Sequence, residues 1–304
     1  MRTGAEGEGQ DKLERVDAHV HVFDRVSEAF PREVSSLAPA GRAATVEQLL
    51  REMDGAAIGH AVLIQMGGFG IEQHRYVARA VSKWPDRFAA VGLVDLNQAG
   101  PPARLDALQE ATGIAGVRLM GRLGDPGEDR VEKLAAYGLF RRAEQLGLNI
   151  NLYCQSDQVS NTEMLVRAFP GVRVSLDHLG ICPATTFAPD RWGRPRFDQE
   201  PIPPSTYPRI LDLARYANVY VKVSGEYAFS REPYPYADMR PMVEHIYRAY
   251  GAERMMWCSD FPWIIEEPGY RRLVALLDRH LPHLTEGEKV LITGGNALEV
   301  WFER

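Results

Sequence analysis

Two histidines near the start of the chain constrain its fold more than any other feature. They lie in the run Val16-Asp17-Ala18-His19-Val20-His21-Val22-Phe23-Asp24, whose β-branched residues are typical of a buried parallel strand. Alternate side chains of an extended strand share a face, so His19 and His21 are expected to point the same way. Buried imidazoles are costly without partners. The spacing suits two groups directed at one ion or one carbonyl oxygen, and a hydrogen-bonded pair of core histidines is the alternative.

Seven further apolar runs predict strands, and helical periodicity follows most of them. The runs are 60–65, 88–95, 113–120, 148–154, 172–178, 218–224 and 255–260. Eight such units match a (β/α)8 TIM barrel. An open doubly wound sheet is the alternative, but it carries a glycine-rich turn where this chain has histidines. We expect an α/β fold, a single-domain distorted TIM barrel over residues 13–304, after a flexible N-terminus at residues 1–12.

Composition narrows the class of partner. The net charge of -6 over 304 residues argues against a nucleic-acid surface, and no apolar run is long enough to cross a membrane. Three cysteines without a CxxC pair fit a reducing compartment. We therefore expect a cytoplasmic protein that binds a small molecule and neither nucleic acid nor membrane, with homo-oligomer formation left open.

Polar and ionisable side chains lie late in six of the predicted strands. Side chains that do chemistry in a TIM barrel lie at the C-terminal ends of its strands, and buried charge without a partner is disfavoured. The residues concerned are His19, His21, Arg118, Tyr153, His178, Lys222 and Asp260. The sequence predicts that they meet at the mouth of the barrel.

Three imidazoles and one carboxylate in this set allow two kinds of chemistry. The four residues are His19, His21, His178 and Asp260. In one mechanism they bind a single divalent ion, with zinc the best match, which lowers the pKa of a water molecule. In the other, no metal is needed, because the imidazoles donate hydrogen bonds to a substrate carbonyl while Asp260 acts as the general base. Both mechanisms stay open at this point.

Five motifs in order resemble the amidohydrolase superfamily. They are Val16-Asp17-Ala18-His19-Val20-His21, Gly116-Val117-Arg118, Asp177-His178-Leu179-Gly180, Val221-Lys222-Val223-Ser224-Gly225 and Cys258-Ser259-Asp260-Phe261-Pro262-Trp263. Gly295-Asn296-Ala297 is similar to the start of the last helix in that family. The resemblance is closest to the amidohydrolase-2 branch, which includes 2-pyrone-4,6-dicarboxylate lactonase, L-fuconolactonase and, more distantly, aminocarboxymuconate-semialdehyde decarboxylase.

The resemblance implies roles for individual residues. Three histidines, His19, His21 and His178, would surround the reacting group, and Asp260 would orient or deprotonate the attacking water. Arg118 would bind a substrate carboxylate or carbonyl, and Tyr153 and Lys222 are further candidates for substrate binding.

Two departures from the superfamily pattern narrow the reaction. Members with two metals carry a lysine on strand four and a histidine on strand five, whereas this chain has Arg118 and no histidine over 148–156. A two-metal hydrolase is therefore disfavoured. The decarboxylases that use the strand-five histidine as a metal ligand are disfavoured for the same reason.

The expected activity is hydrolysis of the ring ester of a small carboxylated or hydroxylated lactone, so the partner would be an anionic or polyhydroxy molecule. The alternatives are a mononuclear metal-dependent decarboxylase, a cyclic-amide hydrolase and an inactive barrel with a scaffold role. Residues 181–208 are rich in proline and arginine. We expect them to form a lid-like insertion that sets substrate size, with a subunit-contact arm as the alternative.

Overall fold

Eight parallel strands form one sheet in the computed structural model, which describes residues 15–153, 156–181, 187–197, 202–205 and 207–303. The strands are β1 (Arg15–Val20), β2 (Ile58–Ile64), β3 (Phe88–Asp95), β4 (Gly116–Met120), β5 (Asn149–Leu152), β6 (Val174–Leu176), β9 (Val219–Val223) and β10 (Met255–Trp257). They pair in chain order. Val20 also pairs with Phe261 just after β10, which brings the two edges of the sheet together. The nearly closed barrel confirms the predicted TIM-barrel fold.

Helices connect the strands on the outside of the barrel. They are α1 (Val46–Gly55), α2 (Arg75–Lys83), α3 (Pro101–Thr112), α4 (Tyr137–Leu146), α5 (Val159–Ala168), α6 (Tyr207–Asp212), α7 (Glu226–Phe229), α8 (Arg240–Tyr250), α9 (Tyr270–Val274), α10 (Leu276–His280), α11 (Glu286–Val290) and α12 (Asn296–Trp301). Thr45 caps α1 by accepting a 3.2 Å bond from the amide of Gln48. Gly147 ends α4 with φ 64°, a left-handed conformation that favours glycine. No helix in the described ranges is long and apolar enough to cross a bilayer.

The apolar core has two parts. The larger cluster packs the outer face of the strands against the helices. The smaller one joins Val16, Val62, Val91 and Met256 to Trp301 of α12. Because the Nζ atom of Lys222 lies 5.3 Å from the centre of the Trp301 ring, this cluster ends directly beneath the polar groups of the barrel interior.

Part of the predicted insertion at 181–208 is a small hairpin of β7 (Ala188–Pro189) and β8 (Pro195–Arg196). The guanidinium of Arg196 donates two 2.6 Å bonds to the carbonyls of Tyr227 and Ser230. The hairpin is therefore tied to the chain that follows β9. Residues 182–186, 198–201 and 206 lie outside the described residues, as do the predicted flexible N-terminus and Cys154. The lid and domain assignments stay predictions.

Candidate active site

Two of the predicted site residues lie beyond the strands to which the sequence assigned them. The predicted strands 172–178 and 255–260 are too long, because β6 ends at Leu176 and β10 at Trp257. His178 follows at the start of a short 3₁₀ turn and Asp260 in a loop, with φ of 50° and 59°. This left-handed backbone is uncommon for residues other than glycine, and it turns the chain at the barrel mouth. Such turns cannot be read from strand periodicity.

His19 and His21 are both buried and both neutral. Nδ1 of His21 donates to the carbonyl of Ile64 over 3.0 Å, and Nδ1 of His19 donates to Oδ1 of Asp177 over 3.0 Å. Burial lowers the pKa of His19 well below its ordinary value and that of His21 to about 3. A neutral imidazole with its proton on Nδ1 keeps a lone pair on Nε2. The two Nε2 atoms lie 3.2 Å apart, so two acceptors face each other.

Asp260 adds a third acceptor to this pair. Its Oδ2 accepts a 2.6 Å bond from the hydroxyl of Tyr227. Its Oδ1 has no hydrogen-bond partner, and it lies 3.5 Å from Nε2 of His21 and 3.8 Å from Nε2 of His19. Burial raises the pKa of Asp260 to about 8, against the opposing effects of the Tyr227 hydroxyl and the Arg118 charge. When Asp260 is ionised, its Oδ1 and the two Nε2 atoms are three neighbouring acceptors without a donor between them, an arrangement that fits a bound cation.

His178 approaches the same centre from the opposite side. Its Nδ1 lies 2.9 Å from Oγ of Ser224, and its ring centre is 5.0 Å from that of His19. Burial lowers the pKa of His178 to about 4, so the ring is neutral. Among the described residues, two overlapping sets have the spacing for a metal ion, namely His19 with His21 and Asp260, and His19 with Asp177 and His178. The four predicted ligands are thus divided between two sets.

Asp177 organises the side chains behind the histidines, although the sequence analysis did not select it. Its carboxylate accepts from His19 and, over 2.7 Å, from the amide of Asn151. It also forms ion pairs with Arg118 at 3.0 Å and with Lys222 at 3.4 Å. Burial alone would raise the pKa of Asp177, but these positive neighbours and the histidine hold it well below its ordinary value. Its place beside His178, just after a strand, was the available signal.

Lys222 does not lie where a substrate-binding residue is expected. It is fully buried, and its Nζ atom contacts Oδ1 of Asn151, Asp177 and, at 3.3 Å, Nδ1 of His19. Burial lowers its pKa. The described residues that line the mouth cavity do not include Lys222. From this position behind His19, Lys222 stabilises the Asp177 carboxylate that orients the histidine ring.

A cavity of about 450 Å³ opens in front of the site. Its polar wall consists of His21, Gln65, Arg118, Tyr153, His178, Tyr227 and Asp260. The guanidinium of Arg118 lies 5.2 Å from the centre of the Tyr153 ring, and its buried Nε has no hydrogen-bond partner. Arg118 and Tyr153 therefore border the space in front of the site, as their strand positions predicted. Tyr227 holds Asp260 in place, a contact that the sequence analysis missed.

The barrel and the polar groups at its mouth define a TIM-barrel enzyme of the amidohydrolase type. The model of the amidohydrolase family matches residues 16–302, and the chain belongs to this family. The membership confirms the resemblance drawn from the five motifs and the expected class of hydrolase.

Individual relatives are distant. L-fucono-1,5-lactonase of Burkholderia ambifaria is 23% identical over 195 residues, which are 63% of this chain and 61% of the relative, so less than two thirds of that protein is matched. A protein of Acinetobacter baumannii described as a probable 2-pyrone-4,6-dicarboxylic acid hydrolase, with citric acid bound, has a TM-score of 0.71 at 20% identity over 94% of this chain and 98% of that one. An amidohydrolase of Burkholderia multivorans with bound zinc has a TM-score of 0.70 at 18% identity, with the same coverage. The two structures show a shared fold.

Proposed function

We propose that the chain is a lactonase that opens the ring ester of a small lactone, with Asp260 as the general base. The proposal rests on one observation: the two oxygens of the Asp260 carboxylate have different surroundings. Oδ2 is held by Tyr227, whereas Oδ1 is buried without a donor at the edge of the cavity. A general base must offer one free, oriented oxygen to the proton it removes. The similarity to L-fucono-1,5-lactonase supports an ester ring as the substrate.

The remaining polar groups act on the carbonyl and the water. Deprotonated Asp260 accepts a proton from water, and its pKa of about 8 makes it a stronger base than an ordinary carboxylate. In this proposal the proton of the neutral His178 ring lies on Nε2, and Nδ1 accepts the 2.9 Å bond from the hydroxyl of Ser224. His178 and Arg118 are then the donors available to the oxygen that becomes negative as water adds.

The donor set at the mouth fits a divalent ion. Two imidazole nitrogens and one carboxylate oxygen match the ligands that zinc prefers, and the residues are His19, His21 and Asp260. An ion bound there would polarise the ester carbonyl as a Lewis acid and make water more acidic.

We expect protein treated with a chelator to bind one equivalent of zinc. Binding to the folded state alone raises Tm, so added zinc should raise the Tm of the chelator-treated protein by about a few degrees. The variant His21→Asn removes one of the facing acceptors, and it should lose this shift. His245→Asn changes an exposed histidine and should keep it. Calorimetric titration and thermal unfolding measure both effects. A wild-type protein without a zinc-dependent shift would show that the three acceptors hold a proton instead.

The raised pKa of Asp260 predicts a stability that falls with pH. Between its ordinary pKa of 3.8 and its folded value of about 8, the folded state holds a proton that the unfolded chain has released. The free energy of unfolding should therefore decrease as pH rises through this range, by up to about 1.4 kcal/mol per unit. In Asp260→Asn this pH-dependent contribution to the free energy of unfolding is absent, because asparagine does not titrate. In metal-free protein, urea titrations should show the variant gaining stability over the wild type from pH 5 to pH 8. A constant difference would contradict the assignment.

The alternatives are separable by their products. Hydrolysis of a lactone releases one equivalent of acid, whereas a decarboxylase releases carbon dioxide and an inactive barrel binds ligand without turnover. Strand β5 (Asn149–Leu152) carries no histidine, and its Asn151 donates to Asp177. We therefore test the proposal by acid release on a panel of lactones in a pH-stat. Acid release by the wild type supports it, and a protein inert to every lactone contradicts it.

A further inference from the structure

We infer that the substrate is a lactone with an aromatic or bulky aliphatic substituent and at most one acidic group. This inference rests on the proposed lactonase activity and narrows its substrate. It departs from the polyhydroxy or anionic partner that the sequence led us to expect. Three properties of the cavity carry it, namely an aromatic wall, few free polar groups and one positive charge.

The aromatic wall is formed by the hairpin and the segment after β9. Phe197 stacks on Phe229 with ring centres 5.2 Å apart and planes 19° apart, and Phe187 packs edge-on against Phe197 at 5.8 Å. The amide of Phe197 donates to the carbonyl of Ala228 over 2.9 Å. All four residues line the cavity. Because the backbone bond fixes Phe197 beside Ala228 and the rings pack on one another, they offer a preformed apolar surface to a planar or bulky group.

The rest of the wall is also largely apolar. It includes Leu37, Met66, Leu93, Met120 and Trp263. Trp263 is 2% exposed, and its ring is covered by the guanidinium of Arg42 at 4.8 Å. Burying an apolar substituent of the ligand against these side chains is favourable in proportion to the area removed from water.

Few polar side chains remain for substrate hydroxyls. Apart from the groups assigned to the reaction, the polar residues that line the described part of the cavity are Gln65 and Tyr153. The amide nitrogen of Gln65 donates to the carbonyls of Met66 and Gln73 over 3.2 and 2.9 Å. A sugar-acid lactone carries several hydroxyls, and each one buried without a partner is penalised. The cavity therefore disfavours polyhydroxy substrates.

One arginine or lysine side chain lines the cavity in the described ranges. Arg118 lines the cavity, while Lys222 is fully buried behind His19. One Nη atom of Arg118 is already paired with Asp177, and its Nε is the buried donor without a partner. One carboxylate can be matched by this group. A second carboxylate would be buried among aromatic side chains without a counter-charge, which is costly.

The experiment compares three lactones at equal concentration in the pH-stat. They are dihydrocoumarin, which has an aryl ring, D-glucono-1,5-lactone, which is polyhydroxy, and 2-pyrone-4,6-dicarboxylate. We expect kcat/KM for dihydrocoumarin to exceed the other two by at least about tenfold. Phe187→Ser changes a ring that is 37% exposed and should fold normally, yet raise KM for dihydrocoumarin about threefold or more. Phe30→Ser is the control, since Phe30 packs on Tyr76 and does not line this cavity.

The possible outcomes distinguish a failure of the substrate inference from a failure of the proposed lactonase function. A preference for the aryl lactone, together with a raised KM in Phe187→Ser alone, supports the inference. Equal or better hydrolysis of the sugar lactone or the dicarboxylate overturns it and leaves the lactonase proposal standing. An unchanged KM in Phe187→Ser also overturns it. Failure to hydrolyse all three, and every other lactone, overturns the proposed function and the inference with it.

Discussion

Replacing Asp260 by asparagine is expected to lower kcat for lactone hydrolysis by about 10² to 10⁴. Asparagine has the same shape and can still accept the bond from the Tyr227 hydroxyl at its amide oxygen. It cannot take a proton from water, because its other terminal atom is a donor. The loss should therefore fall on kcat, with KM changed little, since the apolar wall is intact. Initial rates on the preferred lactone measure both constants.

Asp86→Asn is the matched control for this experiment, because it makes the same chemical change at an exposed position. It should retain wild-type rates. Circular dichroism of both variants checks that the fold is kept. If Asp260→Asn retains more than about a tenth of the wild-type kcat, the carboxylate is not the base, and the assignment of Asp260 fails.

Replacing Asp177 by asparagine is expected to have the largest effect on stability, because Asp177 is the counter-charge for two side chains. The variant leaves Lys222 fully buried and Arg118 largely buried without the carboxylate that each now contacts. Removing one partner of a buried ion pair typically costs about 3–5 kcal/mol of unfolding free energy. Asparagine also has one acceptor oxygen where the carboxylate has two, so one of the bonds from His19 and Asn151 is lost as well. Urea denaturation should show a large decrease in the midpoint.

A double variant distinguishes the destabilisation caused by an unpaired buried charge from destabilisation caused by lost packing. Asp177→Asn combined with Lys222→Met removes the buried cation together with its partner, so it should be more stable than the sum of the single variants predicts. The control is Asp157→Asn, which breaks the exposed 2.7 Å pair with Arg122 and should change the midpoint little. Additive single variants, or a small effect of Asp177→Asn, would contradict the role of Asp177 as the shared counter-charge.

The sequence predicts the barrel well because its signals are local. The strand β3 (Phe88–Asp95) has the predicted bounds, which are set by an apolar run. Where a strand runs into a functional loop, the prediction is too long. The predicted strand extends to residue 260, but the chain leaves the sheet at Trp257, before the left-handed turn at Asp260.

The sequence predicts which residues belong to the site better than it predicts which of them contact each other. Strand position brings His19, Arg118 and Asp260 to the same end of the barrel. It does not show which polar side chain faces which, because that depends on the rotamers and the tilt of all eight strands. The pairing of Lys222 with Asp177 and the contact of Tyr227 with Asp260 are long-range in sequence, so they appear only in the fold. The aromatic wall was missed for the same reason.

The most direct test of the lactonase assignment is the product formed in water enriched in oxygen-18. The enzyme is incubated with dihydrocoumarin, or with the best lactone of the panel, and the product is analysed by mass spectrometry. The proposal predicts a ring-opened hydroxy acid that has gained one water, with a single labelled oxygen in its carboxylate. Asp260→Asn should form the same product at least about a hundredfold more slowly. The contradictory result is a product lacking the label, or, with 2-pyrone-4,6-dicarboxylate, loss of carbon dioxide without ring opening.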